Sequence, residues 1–452
     1  MKKPFFCFLL IYSLFLRPLS TQVCAQKESF DFSKEDRVLI LAPHPDDEAI
    51  GAAGVIQKAL LAGARVKVVC YTNGENNEVS FIVYEKRIPF KQKEFLQLGE
   101  IRRQESVAAM ESLGISRNDL VFLGYPDFGT MEILTKYWGE GKPFRSMFAR
   151  VSEVSYPEAK SFGAPYKGES ILFDLKSIIL GFQPTKIFVS HPADTNRDHQ
   201  SLYLFLKVVL LELEDKIAPP QVFPYLIHVF NWPKPRGFHP EKILIPPKHL
   251  TQVLWEELPL KEDEIEKKHR AIAFYKSQIE CDPPYLFTFA RKNELYGDFP
   301  TILLSENKNQ TEQWNYLETL QLKQARKHLT QHISSVAYML KDKELLIKLQ
   351  LRRRIDKLFG ISVFLLGYKR GVEFSQMPKI NISIGLEGLR IKDKRAVIFV
   401  KGAKWRYEDN TIVITLPLSA LGDPQYILSR LRSHVGIMIT DDNAWRVIEL
   451  VS

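Results

Sequence analysis

Cysteine is scarce in this chain, four among 452 residues. Cys7 and Cys24 lie near the amino terminus, and the remaining pair, Cys70 in an apolar run and Cys281 just before two prolines, is no disulfide framework. Long apolar runs are missing as well. Beyond the amino terminus no segment reaches the roughly 18 consecutive apolar residues of a membrane-spanning helix, so the mature chain is expected to have no transmembrane span. No Gly-x-Gly-x-x-Gly turn follows any strand-like run, which leaves a dinucleotide site unsupported. What remains is an ordinary globular composition, 45% hydrophobic and 25% charged, on a chain long enough to predict two domains.

The amino terminus has its own pattern. Lys2 and Lys3 precede an almost wholly apolar run from Phe5 to Leu16, and Val23-Cys24-Ala25 is a small-residue ending of the kind a signal peptidase cuts. Residues 1–25 are therefore expected to be a cleaved secretory signal, with the mature protein exported to a periplasmic or extracellular space; an uncleaved anchor is the alternative. Thr21-Gln22-Val23 lacks the leading Leu and the small residue that a lipoprotein cysteine at Cys24 would need. Removing Lys2, Lys3 and Arg17 lowers the formal charge from +9 to +6. That excess suits an anionic envelope polymer as partner, and solubility explains it equally well. Nucleic acid is not expected as a partner outside the cytoplasm.

The chemistry concentrates at two corners. Val38 to Ala42 is a short continuous apolar run that suits a strand buried on both faces, and Ala49 to Leu61 reads as a helix. Between them stand His44, Asp46, Asp47 and Glu48, with Pro43 and Pro45 fixing the backbone around His44. In open α/β sheets such a corner lies at the carboxyl end of a strand, where ligands bind. One reading is half of a metal site; the other is a helix cap, with the carboxylates favoured by the helix dipole. A second cluster, Ser190 to His199, again follows a strand-like run and precedes an apolar helical stretch. Two such corners on one sheet edge can converge on one ion.

At these residues the chain resembles the zinc-dependent N-acetylglucosaminyl de-N-acetylase family (PIG-L/LmbE-like). Pro43-His44-Pro45-Asp46-Asp47-Glu48 matches the family's first motif, and Asp194 to His199 nearly matches its Asp-x-His-x-Asp-His motif. Thr72 to Glu75, Arg102 to Glu105, Leu123 to Asp127 and Lys276 to Gln278 follow in the family order. The resemblance implies zinc, with Fe2+ as another divalent candidate, held by His44, Asp47 and His199, a set that leaves an open position for water. It implies Asp46 as the general base that activates zinc-bound water, and Arg102 and Asp127 as sugar contacts; the alternative for Arg102 is a pair with Glu105 on one helix face. Asp194 and Asp198 are expected behind the metal-bound histidines, and Glu48 at the helix start. The departure is Asn196, where the family usually carries a histidine that stabilises the oxyanion. Asn can donate a hydrogen bond but carries no proton at neutral pH, which leaves proton transfer to Asp46 unless His191 or His228 reaches the site. The alternative is that Asn196 only shapes the loop.

The implied activity is removal of acetyl from an N-acetylated amino sugar in a glycan or glycoconjugate. The alternatives are an amidase of the same family acting on a larger acyl amide, and a non-catalytic glycan-binding protein. The βαβ alternation predicts an α/β, Rossmann-like, mostly parallel sheet with helices on both faces over residues 36–298. Long loops at 76–95, 127–168 and 231–258 are expected to wall a cleft, with Tyr84, Trp232 and Phe238 as aromatics that either stack on sugars or pack the loops. Residues 299–330 are expected to be a linker with a polar helical segment. Alternating strands over 331–452 predict an all-β sandwich-like domain, either a carbohydrate-binding module or a structural appendage.

Overall fold

The computed structural model describes residues 30–76, 91–306, 314–318, 332–352, 354, 358–385 and 388–451. The expected signal at 1–25, most of the 76–95 loop with Tyr84, and most of the expected helical segment before 330 lie outside them. In chain order the first domain contains β1 (Arg37–Ala42), α1 (Asp47–Leu61), β2 (Arg65–Thr72), α2 (Gln92–Ser112), β3 (Leu120–Tyr125), α3 (Thr130–Lys136), α4 (Gly168–Phe182), β4 (Lys186–Ser190), α5 (Arg197–Glu212), β5 (Gln221–Tyr225), β6 (Leu254–Pro259), α6 (Glu262–Ile272) and β7 (Asn293–Asp298).

These strands form one sheet in the order β3-β2-β1-β4-β5-β7-β6. The five on the β3 side are parallel, and β7 and β6 add an antiparallel edge. The apolar run of β1 is explained by its position: both neighbours are strands and both faces carry helices, so Val38 to Ala42 are all buried. Because β2 and β4 flank β1, chain direction across the sheet reverses there. That makes the carboxyl ends of β1 and β4 the topological switch point where an open α/β sheet leaves a crevice. α1 lies close on the sheet because Gly51 lets it; a Cβ there would sit 2.7 Å from the Tyr225 ring.

The second domain is a two-sheet β structure, one sheet of five strands and one of eight. Alternation is clean in Glu344–Leu351, whose every second side chain is buried. Leu345, Ile347 and Leu349 of the smaller sheet share one core with Ile361, Val363 and Leu365 of the larger. The stretch read as linker contributes to it: Ile302–Ser305 pairs in parallel with Arg446–Val451, and Asn315–Glu318 pairs with Ile333–Lys341. Short strands after an aspartate-phenylalanine-proline turn carry too little periodicity to be read from sequence alone. The domains share a core, since Leu366, Tyr368, Phe374 and Trp445 pack with Leu202, Phe205 and Val209 of α5. Cys70 and Cys281 are unpaired. Among the described residues no helix is long and apolar enough to cross a membrane.

Candidate metal centre

The first corner is built by a strained turn. Asp46 has φ 125°, a backbone conformation costing about 1–3 kcal/mol for a residue with a side chain. Arg102 of α2 holds it, donating to Pro45 O at 2.9 Å, to Gly74 O at 2.9 Å and to Asp46 Oδ2 at 3.2 Å. Gly74, at φ 66°, is needed there, because a Cβ would collide with the Arg102 guanidinium. The Asp46 N–H donates to Glu48 Oε2 at 3.0 Å, and Glu48 in turn accepts from Ser106 and from Tyr275. The turn throws Asp47 back against His44, whose backbone N–H donates to Asp47 Oδ2 at 2.9 Å.

The second corner is built on buried Asp194. Its Oδ2 accepts from the Ile227 and His228 backbone N–H groups, and its Oδ1 accepts from Asn196 N at 2.8 Å. Asn196 then caps α5, its Oδ1 accepting from Asp198 N at 2.8 Å. His199 falls in the first turn of that helix, its carbonyl held by Ser190 Oγ at 2.7 Å.

Between the corners three donor atoms meet. His44 Nδ1 lies 3.2 Å from Asp47 Oδ2, His199 Nε2 lies 3.1 Å from the same oxygen, and the two imidazole nitrogens are 3.3 Å apart. Three ligands at tetrahedral angles with bonds of about 2.0–2.1 Å are about 3.3–3.4 Å from one another. The triangle therefore fits a small divalent cation of zinc's size, and its N2O donor set suits zinc or iron. These three residues could hold a metal, as could two overlapping groups, Asp194 with His199 and His228, and His44 with Asp127 and Asp198.

The overlap resolves by asking what each imidazole does with its second nitrogen. With a cation on His44 Nδ1 and His199 Nε2, His44 Nε2 faces Asp127 Oδ1 at 3.2 Å and Asp198 Oδ2 at 3.5 Å, and His199 Nδ1 faces Asp194 Oδ2 at 3.1 Å. That is the carboxylate–histidine–metal arrangement which fixes the tautomer of a ligand. Asp198 and Asp194 each face the second nitrogen of one of the two imidazoles. Asp127 differs: expected against a sugar, it is 3% exposed, and its Oδ2 accepts from Asn76 N at 3.1 Å while its Oδ1 faces His44. It also lines the cavity beside His44. Burial works against charge on both imidazoles, yet Asp127 raises His44 well above the ordinary range, and Asp194 with Asp47 takes His199 up to about 9. The same attraction, led by His199, outweighs burial and holds Asp47 well below the usual carboxylate range. A cluster that drags protons onto two buried histidines is one that a cation stabilises in their place.

At its His44 corner the triangle borders a cavity of about 910 Å³, lined by His44, Asp46, Arg102, Asn196, His228 and Tyr285 among others. Burial pushes the Asp46 carboxyl up to about 8, with Arg102 opposing and Asp47 adding to the rise. Arg102 lines the cavity but donates from Nη1 to Gly74 and from Nη2 to the Asp46 turn, its Nε having no partner among the described residues, and Glu105 bonds Ser277 rather than Arg102. Phe128, Phe144 and Phe148 bring the 127–168 loop in as a wall. His191 stays away, stacked on Trp255 at 5.5 Å, whereas His228 sits edge-on to His199 at 4.7 Å. Burial holds His228 down to about 4, so its ring is neutral at neutral pH. Tyr285, within hydrogen-bond reach of His228 Nδ1 at 3.2 Å, was missed because nothing in Pro-Pro-Tyr marks it in sequence. Trp232 donates to Ile245 O and lines a different cavity, and Phe238 packs on His269.

Residues 39–210 match the family model described as GlcNAc-PI de-N-acetylase (PIG-L). Two curated relatives bear the name 1D-myo-inositol 2-acetamido-2-deoxy-alpha-D-glucopyranoside deacetylase. That of Nocardioides sp. is 35% identical over 106 residues, 24% of this chain and 33% of the relative, and that of Mycobacterium avium is 38% identical over 79 residues, 18% and 25%. The chain thus spans a third or less of the length of these relatives. Among solved structures, N,N'-diacetylchitobiose deacetylase from Pyrococcus horikoshii is 20% identical, covering 59% of this chain and 86% of that one, with a TM-score of 0.36. The zinc-inhibited form of teicoplanin deacetylase Orf2 is 15% identical, covering 58% and 97%, with a TM-score of 0.38.

Proposed function

Residues 39–210 are a domain of the GlcNAc-PI de-N-acetylase family, and from that premise we propose that the protein is an exported, metal-dependent hydrolase that removes acetyl from an N-acetylated amino sugar in a glycan or glycoconjugate. The observation that carries the reading is the convergence of His44 Nδ1, Asp47 Oδ2 and His199 Nε2 beside a cavity whose lining includes His44 and Asp46. A zinc ion held by those three residues would acidify a water and polarise the amide carbonyl.

The chain's own groups supply the rest. Asp46 is the carboxylate of the corner that lines the cavity and stands outside the three converging donors. Raised by burial, it is basic enough to take the proton of the attacking water and acidic enough to return it to the leaving amine. Arg102 fixes the Asp46 carboxylate and keeps part of it ionised. Asn196 spends Oδ1 on the α5 cap, which leaves the two N–H donors of Nδ2 on the cavity wall for the developing oxyanion. His228 is uncharged at neutral pH and brings no imidazolium to the site, so proton transfer falls to Asp46. Asp127, Asp194 and Asp198 hold the imidazoles in the tautomers that ligation needs.

Acetate release from chitooligosaccharides or peptidoglycan fragments, measured beside bound metal, tests this reading; metal-loaded protein that releases none from a panel of N-acetylated glycans would sink it. Export is tested separately. The exported chain should begin near Gln26, and sequencing that finds Met1, or a lipid on Cys24, removes the cleaved signal.

A further inference from the structure

A second cavity, of about 810 Å³, lies between the two domains behind the Asp194–His199 loop. Arg197 lines both this cavity and the catalytic one, so the two are neighbours across a single side chain. Six cationic side chains face it, Arg197, Lys234, Lys248, Arg291, Arg430 and Arg432, against two carboxylates, Asp194 and Asp442. The balance is more positive than the count suggests. Asp194 is engaged with His199 and three backbone N–H groups. Arg291 is likewise engaged, donating to backbone carbonyls at Thr288, Lys234, Ile243 and Pro235.

That leaves Asp442 as the counter-ion. It pairs with Arg430 at 2.5 Å and lies 3.4 Å from Arg432, while Arg197, Lys234 and Lys248 have no ion pair among the described residues. Arg430 also donates to Gln200 on α5 at 2.8 Å, which pins the cluster to the helix that carries His199. Arg432 is under strain of charge: burial, then the neighbouring Arg430 and Arg197, bring its guanidinium down to about 10 despite Asp442. Two arginines share the one carboxylate Asp442 and a third, Arg197, adds its charge beside them, a setting that favours an anion in this half-buried cleft. Phe230, 51% exposed, and Trp232 lend the same cleft aromatic faces of the kind sugar rings stack on.

We propose that this interdomain cleft is a subsite for an acidic group, carboxylate or phosphate ester, carried by the glycan whose acetamido group enters the catalytic cavity. The glycan part rests on the deacetylase reading; the anion part rests on the cleft alone. The second domain then has a role, since Arg430 and Arg432 come from it and Arg197 from the first.

Calorimetry on the full chain tests it with three probes of one length: a tetrasaccharide alternating glucuronate and N-acetylglucosamine, chitotetraose phosphorylated at its reducing end, and neutral chitotetraose. At low salt an acidic probe should bind at least about tenfold tighter than the neutral one, with the gap closing as salt rises; whichever acid binds tighter names the group. Lys248→Gln and Arg432→Gln should each weaken the acidic probe about tenfold more than the neutral one. Lys248 is exposed and unpaired among the described residues, so its variant keeps the test sound if loss of Arg432 disturbs folding. Equal affinity for all three probes, or variants that weaken them alike, overturns the subsite. Absence of acetate from every probe, with the acidic preference present and lost in the variants, sinks the deacetylase reading and leaves the subsite standing.

Discussion

Asn196 is where two roles meet in one side chain, and they can be pulled apart. Its Oδ1 caps α5 through Asp198 N, and that bond fixes the amide orientation of a residue that lines the cavity, leaving Nδ2 as the donor end. Serine caps a helix about as well as asparagine but has no amide N–H. Asn196→Ser should therefore melt within a few tenths of a kcal/mol of the wild type and keep its metal. Its turnover should fall roughly 10²–10³-fold, the usual loss on removing one oxyanion donor. Asn196→Ala should lose the same turnover and also about 1 kcal/mol of stability with the cap, which at this domain size lowers Tm by about 2–4 °C. The assay is kcat for acetate release on a chitooligosaccharide, with Tm and metal per chain measured on the same preparations. A serine variant with wild-type turnover would refute the donor role and leave Asn196 a cap only.

Three further outcomes follow from the same geometry. His199→Ala should empty the site of tightly bound metal, whereas Asp46→Asn should retain metal and lose turnover; the reverse pattern in metal analysis would invert the assignments. Asp127→Asn should weaken metal binding about 10–100-fold, as loss of a carboxylate behind a ligating histidine does, and a rise in KM with metal affinity intact would return Asp127 to the sugar. His191 is buried and its ring held down to about 4, so the unfolded chain takes that proton first as pH falls below about 6.5. Stability should drop progressively between about pH 6.5 and 4, by up to about 3 kcal/mol from this group, and His191→Phe should flatten that part of the denaturant-midpoint profile against pH; an unchanged profile would contradict it.

The sheet and the corners were legible in the sequence because each is local. A buried parallel strand is a continuous apolar run, and a strand-to-helix turn packs its polar residues within a few positions, as at His44 to Glu48 and Asp194 to His199. What surrounds those corners was not. Asp127 reaches His44 from the end of β3, and Asp198 faces the same ring from α5, contacts across 83 and 154 positions that leave no periodic trace. The choice between His191 and His228 was undecidable for the same reason: both follow apolar strands, and only the packing of Trp255 on one and Tyr285 on the other separates them. The strand at Ile302–Ser305 was read as linker because its partner, Arg446–Val451, is the last strand of the chain.

The central claim is that the three converging donors hold one divalent cation that serves amide hydrolysis. The most direct measurement follows acetate and free amine together from an N-acetylated oligosaccharide, on protein stripped with chelator and then titrated with zinc. The stripped protein should yield no product, restored zinc should give equal acetate and amine, and the titration should reach a plateau at one ion per chain. Full activity after stripping, or a zinc-loaded protein that yields neither product, would contradict the claim.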